Sequence, residues 1–237
     1  MISLVQTHAS IFDAVCEDEV GLRFAIVGSR RLRTAFQVVY SHGGDRLAPA
    51  MLRASVDITS AEAWARQQHI GRLHTSDDLI DRLGALLAVG NYRNADIRDL
   101  QLYLDLPCGA YPRPGELAAD IRHLVRRADE LECLPEQVVC ELPSRLAEFE
   151  TLQATARVLR RYGAKIALAH SRPDDPLSLW IERLRPDYVR MSGDWFTRVA
   201  SHHASRQLLG SLVRAIRDSG AKVLFEWLDS QRLLALK

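Results

Sequence analysis

Residues 163–196, GAKIALAHSRPDDPLSLWIERLRPDYVRMSGDWF, decide the fold that this sequence predicts. Gly163 suits the position just after a helix, because a residue without a β-carbon adopts the left-handed backbone conformation at little cost. The short apolar run 165–169 is typical of a strand covered on both faces of a parallel sheet. A proline-rich loop and a helix ending at Leu184 lead to a second apolar strand at 188–191. Two parallel strands joined by a helix predict an α/β fold with right-handed crossovers.

The composition suits one domain with a sizeable core. The chain has 237 residues, 47% of them hydrophobic, and α/β barrels commonly occupy this length as one domain. Its 31 basic and 30 acidic residues give a formal net charge of +1, so charge offers no reason to expect nucleic acid or an anionic membrane as a partner. No stretch approaches the roughly 20 apolar residues that span a bilayer. The N-terminus lacks the basic start and apolar run of a signal peptide.

The four cysteines, Cys16, Cys108, Cys133 and Cys140, form no C-x-x-C pair and no disulfide framework. Ordinary buried thiols are therefore the simplest interpretation. This pattern predicts a reducing, cytoplasmic location.

The N-terminal third is predicted to contain an arm and a hairpin. Residues 1–34 are expected to form an arm of one or two helices, although 22–27, LRFAIV, has the composition of a strand. FQVVY at 36–40 and the segment 47–56 predict a β-hairpin around the turn HGGD. The predicted domains are therefore the arm and a barrel domain at 35–237.

The rest of the chain alternates strands with helices, as a parallel barrel requires. Further strands are predicted at residues 100–106, 138–142 and 222–228. Helices are predicted at residues 60–68, 77–89, 116–131 and 207–219, with Gly220 as the C-cap of the last.

Seven of these segments, in order, resemble motifs of the EAL-domain family, which hydrolyses cyclic-di-GMP. FQVVY resembles YQPI, and PAMLR at 49–53 occupies the name-giving E-A-L-L-R. LQLYLDL, VVCEL and KVLFEWL resemble the L-x-V-N-L-S, L-E-I-T-E and A-E-G-V-E strands, while AHSR and RMS stand in place of DDFG and K-I-D. The resemblance covers about residues 31–237. It implies an α/β fold of the EAL-type TIM-like (β/α) barrel class, with an antiparallel first strand.

The resemblance also implies a barrel that is incomplete at the C-terminus. The chain stops at Lys237, where the family continues through another helix and a last strand. An open barrel exposes backbone groups along two edges, so a cover is expected. The apolar N-terminal arm is one expected cover, and a second copy of the chain or another protein is the alternative.

The catalytic residues of the family are largely replaced. In the family, oxygen ligands at the strand ends hold Mg²⁺ or Mn²⁺ ions that activate water. The resemblance places Pro49 at the first glutamate, and Ala169 and His170 at the paired aspartates. Arg190 replaces the lysine that assists the attacking water, and it is too basic to exchange protons at neutral pH. The resemblance therefore implies no catalytic residue, no dedicated metal site and no cofactor.

Some polar residues of the family's site remain. Asp105, Glu141 and Glu226 keep oxygen groups, which would hold Mg²⁺ or Mn²⁺ weakly at most, and Asp229 shortens the last glutamate of A-E-G-V-E. The residues expected to contact cyclic-di-GMP, where it binds, are Gln37, Arg53, Asp105, Glu141, Arg190, Glu226 and Asp229. A structural interpretation stays open, in which Glu141 or Glu226 pairs with Arg190 because a lone buried charge is costly.

Two functions follow from the resemblance. In the first, the chain is a catalytically inactive EAL-like protein that binds an unidentified protein partner in bacterial signalling, in motility or biofilm control, with or without cyclic-di-GMP as effector. In the second, it is a residual or altered metal-dependent cyclic-di-GMP phosphodiesterase. The replacements at Pro49, Ala169 and His170 favour the first. Whether the chain forms a homodimer stays open.

Overall fold

A computed structural model of the chain describes residues 14–43, 46–60, 77–92, 94, 99–106, 126, 135–143, 149–170, 177–193 and 203–225. The strands in these residues are β1 (Val15–Glu17), β2 (Arg23–Val27), β3 (Arg30–Gly43), β4 (Arg46–Ser60), β5 (Gln101–Asp105), β6 (Val138–Pro143), β7 (Lys165–His170), β8 (Tyr188–Met191) and β9 (Lys222–Phe225). The α-helices are α1 (Asp77–Tyr92), α2 (Phe149–Arg161), α3 (Leu177–Leu184) and α4 (His203–Asp218).

The strands form one sheet in which spatial neighbours follow the chain order from β1 to β9. The pairs from β1 to β4 are antiparallel, and those from β4 to β9 are parallel. This arrangement confirms the predicted α/β class, a parallel barrel-type sheet with an antiparallel start. The end of the last predicted strand and the expected gap in the barrel fall on residues 226–237, outside the described residues.

Alternate strand residues pack against the helices, because successive side chains of a strand point to opposite faces. The resulting core contains Leu102, Leu104, Cys140, Leu142, Ile166, Leu168, Val189 and Met191 from the strands, and Val89, Leu152, Leu159, Trp180, Ile181, Leu184, Leu209 and Ile216 from the helices.

The other face of the sheet carries a separate buried cluster, formed by Met51, Tyr103, Val139, Ala167 and Tyr188. Val39 of β3 and Leu224 of β9 both pack against this cluster, although their strands are far apart in the sheet order. The sheet therefore curls around the cluster as a barrel wall does.

The predicted N-terminal helices are wrong for the described part of the arm, because residues 14–34 contain β1, β2 and the start of β3. Gly28, at φ 62°, lies in the turn between β2 and β3. One face of this meander packs on α1 through Ala25, Val27, Leu32, Ile80, Leu83 and Leu87. The other face is buried as well, at Phe24 and Ile26. RFAIV is apolar from Phe24 to Val27 and therefore lacks the alternation that identifies a half-buried strand, although the strand-like composition noted for 22–27 is confirmed by β2.

The predicted boundary between residues 34 and 35 falls inside β3. The division into an arm and a barrel domain stays a prediction.

Close contacts fix α1 to the strands beside it. Asn91, 5% exposed, accepts a hydrogen bond from the Arg23 N–H at 2.7 Å and donates one to the Arg23 carbonyl at 2.7 Å. A β-carbon added at Gly84 would meet Cγ2 of Val56 at 2.3 Å, and one at Gly90 would meet Cδ of Arg23 at 2.8 Å. Glycine at both positions lets the helix approach the strands this closely.

The predicted C-caps at Gly163 and Gly220 are confirmed by φ angles of 82° and 89°. Arg185 has φ 45°, a conformation that costs a residue with a β-carbon about 1–2 kcal/mol. It follows the last residue of α3, and the Arg160 side chain donates hydrogen bonds to the carbonyl oxygens of Leu184 and Arg185. These hydrogen bonds hold the end of α3 in place.

Two predicted helices lie mainly outside the described residues. Of the helix at 116–131 only Arg126 is described, and of the helix at 60–68 only Ser60, which ends β4. Within the described ranges, no helix has the length and apolarity needed to cross a membrane.

Candidate functional site

Polar residues from four strands meet at one edge of the parallel sheet, because parallel strands present their carboxyl ends at the same edge. Arg53 of β4 lies beside Tyr103 of β5, and Asp105 of β5 lies beside Glu141 of β6. Arg190 comes from β8. Together these residues form the strand-end site, which consists of Arg53, Asp105, Glu141 and Arg190.

Glu141 and Arg190 form a buried ion pair with side chains 7% and 16% exposed. The Arg190 guanidinium donates from Nε to Oε2 of Glu141 at 2.5 Å and from Nη2 to Oε1 at 2.6 Å. The hydroxyl of Tyr103 also donates to Oε2. Both oxygens of Glu141 therefore accept hydrogen bonds from protein groups, and the pairing of Glu141 with Arg190, one of the open interpretations, is confirmed.

Two alanines of β7 lie between the two residues of this ion pair. On β7, which separates β6 from β8, Ala167 lies beside Glu141 and Ala169 lies beside Arg190. Both alanines are buried, with Ala169 4% exposed. Between Glu141 and Arg190, β7 therefore presents the methyl groups of Ala167 and Ala169, and Arg190 reaches across them to Glu141.

Arg53 and Asp105 form a second and more exposed pair. Nη2 of Arg53 donates to Oδ2 of Asp105 at 2.8 Å, and their side chains are 20% and 48% exposed. The guanidinium carbon of Arg53 also lies 6.0 Å from the centroid of the Tyr103 ring. Solvent screening weakens such a pair relative to a buried one.

Tyr103 belongs to the site, although sequence reasoning missed it. It is 1% exposed, with its ring beside Arg53 and its hydroxyl on Glu141. Burial, followed by the negative charge of Glu141, raises the pKa of Tyr103 well above its usual 10.0, while Arg190 acts in the opposite direction. The alternation in LQLYLDL was the available signal, because it places Tyr103 on the same face as Asp105.

Of the other residues selected from the sequence, Gln37 and His170 lie at this edge, whereas Pro49 lies farther back on β4, before Met51, which pairs with the first residue of β5. Gln37 is exposed and pairs across β3 and β4 with Arg53. Pro49 is exposed and lies opposite Tyr40, next to a register shift in the β3–β4 ladder. His170 ends β7 beside Met191, but its side chain is outside the description, as are Glu226 and Asp229.

The donor set in the described ranges does not fit the two divalent cations that the family's chemistry implies. Hard cations take several oxygen ligands, ionised and arranged around the ion. Pro49 and Ala169 have no side-chain donor, while oxygens of Asp105 and Glu141 already bind guanidinium groups. In the part of the chain that the structure describes, no three His, Cys, Asp or Glu side chains converge as a metal site.

Comparison with known sequences and structures identifies relatives of this arrangement. The sequence model described as the EAL domain matches residues 25–236. A search among curated proteins found no match.

Three solved structures represent the structural similarity. One is the Bacillus subtilis YkuI protein, with an EAL domain, in complex with substrate c-di-GMP and calcium, at TM-score 0.67 and 16% identity over 86% of this chain and 51% of that chain. The EAL domain of Mycobacterium smegmatis DcpA aligns at TM-score 0.66 and 12% identity over 86% and 85%. Vibrio cholerae LapD S helix-GGDEF-EAL, bound to c-di-GMP, aligns at TM-score 0.63 and 15% identity over 86% and 50%. The chain spans about half the length of YkuI and LapD.

Proposed function

Because the chain belongs to the EAL-domain family, we propose that it is a member that does not hydrolyse cyclic-di-GMP and that acts in bacterial signalling by binding a protein partner. Cyclic-di-GMP is the proposed effector. YkuI and LapD, two of its solved neighbours, are described with this dinucleotide bound, which makes it the first ligand to test.

The observation that carries the proposal is that both oxygens of Glu141 accept hydrogen bonds from Arg190. Metal-dependent hydrolysis needs carboxylate oxygens directed at a cation, so that bound water becomes nucleophilic. Arg190 binds both oxygens of Glu141, and Arg53 binds one oxygen of Asp105. A cation would have to displace these guanidinium groups, and Ala169 offers no carboxylate to compensate.

Ligand binding without hydrolysis is supported by the chemistry of the exposed pair. The Arg53 side chain is 20% exposed, and its Nη2 donates a hydrogen bond to Oδ2 of Asp105 at 2.8 Å. Guanidinium groups bind phosphate oxygens well because their donors are planar and forked. The exposed Gln37, opposite Arg53, adds an amide that can donate or accept.

A surface for the protein partner is proposed at the turn between β1 and β2. Val20 is 76% exposed and Leu22 is 43% exposed. Oδ1 of Asp18 accepts hydrogen bonds from the N–H groups of Val20 at 3.1 Å and Leu22 at 2.9 Å, so the turn is held in one shape. It precedes the family-matched residues 25–236, and a preformed turn that exposes two apolar side chains beside Glu19 suits recognition by another protein.

The decisive experiment measures cyclic-di-GMP turnover by chromatography in Mg²⁺ and in Mn²⁺. No turnover is expected, and Ala169→Asp alone is expected to remain inactive because two-metal chemistry needs the whole ligand set. Turnover by the wild-type protein that disappears in Glu141→Ala would contradict the proposal. That result would favour the residual phosphodiesterase, the second function open to an EAL domain.

Effector binding has its own measurement. Calorimetric titration with cyclic-di-GMP, with and without Mg²⁺, is expected to give the same affinity in both conditions and a weaker one in Arg53→Met. Light scattering with and without the dinucleotide reports whether binding changes the oligomeric state, including homodimer formation. Partner binding is tested with Val20→Asp, which is expected to abolish capture of a protein that the wild-type chain retains.

A further inference from the structure

The strand-end site brings two carboxylates together and therefore needs positive charge. Asp105 and Glu141 are register neighbours on β5 and β6, and neighbouring strands are about 4.8 Å apart. Carboxylates on neighbouring strands repel each other unless cations lie close to them. Arg53 and Arg190 supply that charge from β4 and β8, the strands on either side.

The two guanidinium groups occupy the oxygen positions that a metal ion would use. Divalent cations bind carboxylate oxygens directly, through the same lone pairs that accept hydrogen bonds. On Glu141, Oε1 accepts from Arg190, and Oε2 accepts from Arg190 and Tyr103. On Asp105, Oδ2 accepts from Arg53.

We infer that Arg190 is a built-in cation that occupies both oxygens of Glu141 and excludes divalent metal from this site, while Arg53, the arginine that PAMLR shares with E-A-L-L-R, neutralises Asp105 beside it. The inference goes beyond the loss of hydrolysis, because it assigns metal exclusion to a residue that stabilises the carboxylate itself. It rests on the proposed function only in treating the strand-end site as the place where relatives do their chemistry. Arg190 is expected to exclude metal more strongly than Arg53, because its contact with Glu141 is bidentate and buried.

The test measures Mn²⁺ binding directly, by electron paramagnetic resonance of free Mn²⁺ and by the melting temperature with and without Mn²⁺. Wild-type protein is expected to show no saturable binding at millimolar Mn²⁺. The double variant Arg53→Met with Arg190→Met releases both carboxylates, so Mn²⁺ affinity is expected to rise by about tenfold or more, since affinity follows the charge of the ligand set. Adding Glu141→Gln to the double variant is expected to remove the gain.

Arg157→Met is the matched control, because Arg157 is an exposed arginine of α2 that hydrogen-bonds to Gln153 at 2.9 Å and contacts neither carboxylate. It is expected to leave Mn²⁺ binding unchanged. Where the double variant fails to fold, Arg190→Lys replaces it, because lysine lacks the fork that holds both oxygens of Glu141, and the freed oxygen should again raise Mn²⁺ binding.

Two results would overturn the inference. One is that the wild-type protein binds Mn²⁺ saturably and that Glu141→Gln abolishes this binding. The other is that the double variant, or Arg190→Lys, folds but binds Mn²⁺ no more tightly than the wild type. Wild-type Mn²⁺ binding without turnover would leave the proposed function standing. Turnover would refute that function separately.

Discussion

Arg190→Met is expected to lower the free energy of unfolding by about 3–5 kcal/mol at neutral pH, the range for breaking one side of a buried ion pair. The cost arises because Glu141, 7% exposed, would remain as a buried carboxylate without its guanidinium partner. The lower end of the range is expected, since the Arg190 side chain is 16% exposed and the Tyr103 hydroxyl still donates to Glu141.

Urea unfolding followed by circular dichroism measures this cost. For a chain of this size, a loss of about 3 kcal/mol corresponds to a fall of about 6–12 °C in melting temperature. The slope with urea is expected to stay constant, because the same surface is exposed on unfolding. The double variant Glu141→Gln with Arg190→Met should recover about 2 kcal/mol or more, since neither residue then leaves a charge buried.

Arg53→Met is the matched control within the same site. Asp105 is 48% exposed, so water replaces the lost guanidinium and the expected cost is about 1 kcal/mol or less. Equal costs for Arg190→Met and Arg53→Met would refute the reasoning, because the difference in burial would then carry no energetic weight. The same conclusion would follow from a double variant no more stable than Arg190→Met.

Further variants test the packing and the pH dependence. Gly84→Ala is expected to lower the free energy of unfolding by about 1–3 kcal/mol, because its β-carbon would overlap Val56 of β4. Gly210→Ala, where the new atom meets nothing within 4 Å, should stabilise α4 by about 0.5–1 kcal/mol. Urea unfolding of both variants checks this contrast. Asn91→Ala should cost about 1–3 kcal/mol and speed hydrogen exchange of the Arg23 amide, and unchanged exchange would contradict it. As pH rises above about 10, Tyr103 ionises in the unfolded chain but stays protonated in the folded one, where its pKa is raised. The free energy of unfolding should therefore fall by up to about 1.4 kcal/mol per pH unit. Tyr103→Phe should remove that share of the slope in a pH series of urea unfolding curves.

The sequence determined the elements whose signals are local. The strand predicted at 188–191 is present as β8, because a short apolar run between turn-forming residues leaves few other conformations. The ends of α2 and α4 follow from Gly163 and Gly220, because a residue without a β-carbon adopts a left-handed φ angle at little cost. The strand–helix alternation and the family motifs then fixed the parallel sheet.

The tertiary structure decided whatever depended on which strands became neighbours. β2 shows no alternation because both of its faces are buried, so its pairing with β1 and β3 decided between the helix expected for the arm and the strand that the composition of 22–27 also indicated. The sequence supplied Asp105, Glu141, Arg53 and Arg190 as candidates, and pairing of Glu141 with Arg190 was one open interpretation. The partners are 49 and 52 residues apart in the chain, and their contact requires the register of β4, β5, β6 and β8 and the small side chains of β7. Register arises from the summed packing of the whole sheet, which no single segment of the sequence encodes.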